Sequence, residues 1–197
     1  MSNKEPKIKN EILRLGLILF VITAVAGGLL GVVNDITSPI IAQKKVEAAN
    51  ESRRLVLKDA QDFKQVEGTF TSEMYPDIPV DEVYEGTNGS GTVGYVIKTL
   101  PKGYGGTIEV IVGIGQDGAI EAITIGNMAE TPGLGAKSKE PAFQNQFAGK
   151  PAGVLSVIKS GTPGESDVLA ISGATITSNA VTLGINTAID VFNTKLK

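Results

Sequence analysis

The chain contains no cysteine and no histidine, and that double absence removes whole classes of chemistry. Thiolate-held iron–sulfur clusters need Cys, and structural zinc sites and most haems need Cys or His. A nucleophilic Cys, a Ser–His triad and imidazole acid–base chemistry are excluded for the same reason. No disulfide can form, so bridges carry no information about redox compartment. A hard cation held by carboxylates stays open, but no residue is assigned to a metal or to catalysis. Any redox reaction must therefore run on an organic carrier. A basic excess is missing as well. The 18 Lys and Arg against 21 Asp and Glu leave a net charge of −3, which argues against a nucleic-acid partner, because nothing is in surplus to neutralise phosphates.

What is present suits a folded protein. The 42% hydrophobic and 20% charged residues of the 197 are enough for one packed domain with an appendage. That appendage opens the chain. Residues 12–33 hold one charge, Arg14, and from Leu15 to Val33 there are 19 uncharged residues, about the ~20 that a helix needs to cross a bilayer core. Lys4, Lys7, Lys9 and Arg14 precede the run, Asn34 and Asp35 follow it, and the next cations are Lys44 and Lys45. The excess of positive charge before the span puts the N-terminus in the cytoplasm and the remainder outside. A cleaved signal peptide is the alternative, with Ala24-Val25-Ala26 as its cleavage site, although the apolar run continues beyond that point through Val33. The outer part carries 14 basic and 19 acidic residues, a net −5, and is not built to lie on an anionic membrane surface.

The expected division is a cytoplasmic tail over 1–11, a transmembrane anchor over 12–34, a connecting helix within 35–66 and an extracytoplasmic domain over 67–197. Ser38-Pro39 reads as a helix start, with Ser as N-cap and Pro in the first turn. Val46, Ala49, Val56, Ala60 and Phe63 then recur at helical spacing. Residues 68–91, rich in Gly, Pro, Asp and Glu, read as loop with at most one short strand. Strands are expected over 92–99 and 107–114, the latter alternating Ile108, Val110, Val112 and Ile114. Gln116-Asp117-Gly118 is a hairpin turn, 119–125 returns antiparallel and 154–159 is a further strand. Residues 181–196 close the chain as a helix burying Val181, Leu183 or Gly184, Ile185, Ala188, Ile189 and Phe192. The fold class is α+β, a mostly antiparallel sheet with flanking helices.

Three segments could form a site. Gly103-Tyr104-Gly105-Gly106 lies between two strands, and alone it needs to be no more than a flexible connection. Glu130-Thr131-Pro132-Gly133-Leu134-Gly135-Ala136-Lys137 combines a fixed φ, two permissive glycines and an apolar residue in a polar loop. A turn needs only the Pro-Gly; the added Thr131, Leu134 and Lys137 suit a rigid ledge. Ser172-Gly173-Ala174-Thr175-Ile176-Thr177-Ser178 sets hydroxyls on a Gly turn before the last helix. Thr177 or Ser178 can cap that helix, which leaves Ser172 and Thr175 unexplained. The same turn and helix start can instead hold a phosphate, although neither a P-loop Lys nor a Rossmann spacing is present.

Taken together and in this order behind one N-terminal membrane helix, the three segments resemble the FMN-binding domain family, in the branch formed by the G component of Rnf-type ion-translocating ferredoxin:NAD oxidoreductase complexes. The resemblance implies that Thr175 carries FMN as a phosphoester, installed from FAD by a Mg²⁺-dependent flavin transferase. Ser172, Gly173, Ala174, Thr177 and Ser178 would surround the attachment point. Glu130, Thr131, Leu134, Gly135 and Lys137 would lie near the isoalloxazine ring, with Tyr104 in the third segment. The implied partners are the transferase and other membrane subunits of a redox complex. Two departures stand out: family members commonly have an acid where this chain has Leu169, with Asp167 the nearest acid here, and a His before Glu130, where this chain has none. The C component of a sodium-translocating NADH:quinone oxidoreductase shares the motifs and topology. A non-redox exported ligand-binding module and a scaffold protein of the complex are the readings from other classes.

Overall fold

The computed structural model describes residues 7–197, with the side chains of residues 7–10, 42, 43 and 45 outside the description. It divides into two units, Met1–Ala48 and Ala49–Lys197. The first unit lies on helix α1 (Lys7–Val56), whose early part is long and apolar enough to cross a membrane. Lys4 and the rest of residues 1–6, the start of the expected cytoplasmic tail, lie outside the described residues. α1 runs through Pro39 without a break, so the expected helix start at Ser38 is replaced by continuity. Pro39 removes only one intrahelical donor, and the neighbouring hydroxyls bond back into the helix instead of capping it. Thr37 Oγ1 donates to the Val33 carbonyl (2.8 Å) and Ser38 Oγ to Asn34 Oδ1 (3.3 Å).

The second unit is built on one five-stranded antiparallel sheet, ordered β1 (Asp62–Gln65), β2 (Val80–Asn88), β3 (Gly91–Thr99), β4 (Val110–Gly115) and β5 (Ile120–Ile125). The expected β3, the β4–β5 hairpin and its Asp117-Gly118 turn are present, with Gly118 at φ +88°. β2, nine residues long, exceeds the one short strand expected within the loop over 68–91. Its period is interrupted by register shifts at Val80/Glu82 and Gly86/Thr87. Its acids, Asp81 and Glu82, are held by Lys98 at 2.6 and 3.0 Å. Phe63, expected on a helix face, lies instead in edge strand β1.

The interior strand β4 is buried along its whole length because both faces of the sheet are covered. On one face Val110, Val112 and Ile114 form the main core with Val181, Ile185, Ala188 and Phe192 of the C-terminal segment. On the other face Val56, Leu57 and Ala60 pack with Val96 and Ile111. α1 ends at Val56, before the Ala60 and Phe63 of the expected helical pattern, and the chain turns its last apolar side chains onto a strip of glycines. Gly86 pairs with Gly94, and Gly94 with Gly115. A Cβ on Gly94 would meet Leu57 Cδ1 at 3.0 Å, and one on Gly113 would overlap the Val56 carbonyl.

Past β5 come a 3-10 turn (Gly135–Lys139), the short helix α2 (Pro141–Gln144) and a two-stranded parallel pair, β6 (Ser156–Ile158) with β7 (Asp167–Leu169). Helix α3 (Thr175–Val191) and a π-turn (Phe192–Leu196) finish the chain. α3 starts six residues before the expected 181, at Thr175 itself. Of the alternatives at one position, Gly184 is the buried one: a Cβ there would lie 2.8 Å from both Pro101 Cγ and Thr99 Oγ1, whereas Leu183 is 40% exposed.

Candidate functional site

One side chain gathers the three segments that stand out in the sequence. Glu130 is buried, and its Oε1 accepts from the Gly105 N–H (2.9 Å) while its Oε2 accepts from Thr177 Oγ1 (2.6 Å). The glycines are there because the clasp leaves no room for a Cβ. One added at Gly103 or at Gly135 would overlap a Glu130 carboxylate oxygen, and one at Gly105 would overlap the Ala129 carbonyl. A buried carboxylate is tolerated where donors replace its lost water. Here a backbone N–H and a hydroxyl do so, from positions 25 and 47 residues away.

The loop after Glu130 is rigid through its own backbone. Leu134 N–H and Ala136 N–H both donate to the Thr131 carbonyl (3.1 and 3.2 Å), with Gly133 at φ +77°. Leu134 projects from it half exposed, and a Cβ on Gly173 would lie 3.1 Å from Leu134 Cδ2. The ledge therefore abuts the turn that leads to Thr175. Thr131, Lys137 and Tyr104 do not line the cleft described next.

The turn itself is made by Gly173 at φ +75°, followed by Ala174 N–H to the Ile171 carbonyl (2.9 Å). The N-cap position of α3 is Ala174, with no side-chain cap, so the expectation that Thr177 or Ser178 caps the helix is corrected. Both hydroxyls face inward. Thr177 binds Glu130, and Ser178 Oγ accepts from Ile171 N–H (2.9 Å) and donates to the Ala174 carbonyl (3.0 Å). The first main-chain bond of α3 is Ser178 N–H to the Ala174 carbonyl, which leaves the N–H groups of the first turn unpaired within the helix.

Thr175 differs from Thr177 and Ser178. It is half-buried, makes no side-chain hydrogen bond and lines a cleft of about 400 Å³ together with Ser172, Gly173, Leu169–Ile171 and Lys159–Gly161. Ser172 is exposed on the preceding loop. The walls at 159–161 and 169–171 are missed by sequence reasoning. They come together only through the parallel β6–β7 pairing, and strands of three residues leave almost no periodic signal.

Leu169, standing where an acid was expected, has its backbone held by Gln146: its N–H donates to Gln146 Oε1 (2.8 Å) and its carbonyl accepts from Gln146 Nε2 (3.2 Å). Asp167 is committed elsewhere. The Ser156 hydroxyl (2.8 Å) and the Gly164 N–H (3.1 Å) donate to its carboxylate and, with Lys150 nearby, hold it below its ordinary pKa. It ties β6 to β7 rather than lining the cleft.

These features fit an anchored flavin: a free hydroxyl at a helix start, a cleft beside it and an apolar ledge against the turn. The FMN-binding domain model matches residues 103–190, and the RnfG N-terminal region model matches residues 1–53. The G component of the Na(+)-translocating ferredoxin:NAD(+) oxidoreductase complex of Acetobacterium woodii is 40% identical over 190 residues, covering 92% of this chain and 91% of its own length. The proton-translocating counterpart of Clostridium ljungdahlii is 35% identical over 188 residues, covering 95% of each. The solved C component of the Na(+)-translocating NADH-quinone reductase of Parabacteroides distasonis has the same fold. It aligns with a TM-score of 0.51 at 25% identity, over 68% of this chain and 76% of that one. With relatives of this similarity along nearly the full chain and both models matched in order, the chain belongs to the RnfG family, the G components of ion-translocating ferredoxin:NAD(+) oxidoreductase complexes.

Proposed function

We propose that the chain is the flavin-bearing electron-transfer component of such a membrane-bound complex, with FMN joined through its phosphate to Thr175. The observation that carries this reading is the selection among the hydroxyls of the first turn of α3: Thr177 and Ser178 are buried and bonded, whereas Thr175 opens unpartnered on the cleft. A flavin transferase using FAD and Mg²⁺ would form the Thr175 Oγ1–P bond. The FAD pyrophosphate breaks, AMP leaves, and the threonine proton passes to a base on the transferase. The small side chains at 173 and 174 leave room for that attack. The unpaired N–H groups and the dipole at the start of α3 favour the remaining negative charge. Bound FMN supplies one- and two-electron transfer, and the protein supplies its position. Leu134 offers the ring an apolar contact, and Glu130 holds the surrounding segments together.

Anchoring by α1 with the N-terminus in the cytoplasm puts the flavin on the outer face. Its apolar stretch has no ionisable residue between Leu15 and Val33, where an ion path would show one. The two relatives also differ in named ion, sodium in one and proton in the other. Both facts support relaying electrons, rather than conducting the ion, as the role of this chain. The NADH-quinone reductase reading is second, since its solved representative matches less of the chain at lower identity.

The test is the full chain co-expressed with a flavin transferase. The parent should fluoresce as a denatured gel band, and the peptide holding Thr175 should gain the mass of FMN less water. Thr175→Val keeps the shape and removes the oxygen, so it should lose both signals, while Ser172→Ala and Thr177→Val keep them. Fluorescence surviving in Thr175→Val would refute the attachment site. A colourless parent would favour the non-redox module or the scaffold.

A further inference from the structure

The cleft beside Thr175 has one charged side chain in its lining, Lys159. Lys159 forms no ion pair or hydrogen bond with any described residue, unlike Lys98, Lys150 and Lys195, which all do. It stands in a part of the chain whose net charge is negative, so a free cation there is not part of a basic field. Its place is fixed by the fold. β6 pairs with β7, and Ala170 N–H donates to the Ile158 carbonyl (2.8 Å), which sets residue 159 opposite the segment running from β7 into the Gly173 turn. β6 is also pinned to α3, because Asn186 accepts from Leu155 N–H and donates to the Leu155 carbonyl, both at 2.9 Å. The strand that carries Lys159 and the helix that carries Thr175 are thus fastened to each other.

We infer that Lys159 is a binding residue for the phosphate group at Thr175, supplying the counter-charge on the wall of the cleft opposite the helix start. This rests on the reading of Thr175 as the attachment site. A phosphodiester keeps one negative charge, and an ammonium group is a compact point charge suited to it without a fixed fork of donors. Because the lysine is exposed, its contribution is that of a solvent-screened pair. Removing it should slow modification about two- to fivefold rather than abolish it.

The test compares the parent, Lys159→Met and Lys159→Arg, each full-length and incubated with transferase, FAD and Mg²⁺. The rate is followed by mass spectrometry of the Thr175 peptide at low and high salt, and the attached phosphate by ³¹P NMR. Lys159→Met should be slower at low salt and converge on the parent at high salt, where screening erases the pair. Its ³¹P resonance should shift, and Lys159→Arg should restore both. A folded Lys159→Met with the parent rate and ³¹P shift would overturn the role of Lys159 while leaving Thr175 as the site. A slowing that salt does not diminish would overturn it in favour of a packing effect. A parent left unmodified would overturn both readings.

Discussion

At the scale of single residues, the chemistry of the site depends on which hydroxyls and carboxylates are already occupied. Glu130 holds Gly105 and Thr177 with two hydrogen bonds at once, so its truncation leaves the buried Thr177 hydroxyl stranded and frees the more exposed Gly105 N–H. Leaving the buried hydroxyl unpaired costs about 1–3 kcal/mol. Glu130→Ala should therefore lower the stability of the outer unit markedly and raise hydrogen exchange at the Gly105 amide. Glu130→Gln retains one acceptor for Gly105 and offers an amide donor to Thr177, whose oxygen can accept. It should melt close to the parent. If Gln proved as damaging as Ala, charge rather than the two bonds would be holding the segments. The partners of Glu130 are not legible in the sequence, because they lie far along the chain and a lone Glu before Thr-Pro-Gly has no pattern of its own. Thr175 is legible for the opposite reason: its neighbours in sequence are its neighbours in the turn.

At the scale of elements, legibility follows the strength of the local period. The β4–β5 hairpin is readable from alternating Ile and Val around Asp117-Gly118, and the buried face of α3 from its helical spacing. β2 is hidden by two irregularities of register and by acids whose compensating Lys98 lies on the next strand. The continuity of α1 through Pro39 is hidden too, because a proline that ends a helix and one that is carried inside it look alike in sequence. The docking of the end of α1 onto the sheet depends on glycines that look like weak points of β3 and β4. Gly113 lies against the Val56 carbonyl, so Gly113→Ala forces backbone apart and should cost about 1–3 kcal/mol, as overpacking does. The melting temperature should fall and the proposed modification of Thr175 should be unaffected, because the contact is on the face of the sheet away from α3. A variant with the parent melting temperature would show that the end of α1 does not rest on the glycine strip.

At the scale of the whole molecule, the distribution of charge around the apolar run predicts one orientation. Protease added to spheroplasts should digest residues after 34 and leave the N-terminal tail protected, with the anchor retained. A mature chain beginning at Gly27 would instead identify Ala24–Ala26 as a cleavage site and remove the anchor. The second unit closes on itself late. Ser72 donates to Asp190 across 118 positions, and Thr99 to the Gly184 carbonyl across 85. α3, the last helix made, supplies one wall of the main core. A nascent chain lacking α3 therefore has a sheet with one bare face, and contacts this distant in sequence form slowly. The turn at Gly173, the clasp to Glu130 and the cleft beside Thr175 take shape only once α3 has emerged, so the topology and attachment proposed above imply an order of export, then closure, then loading.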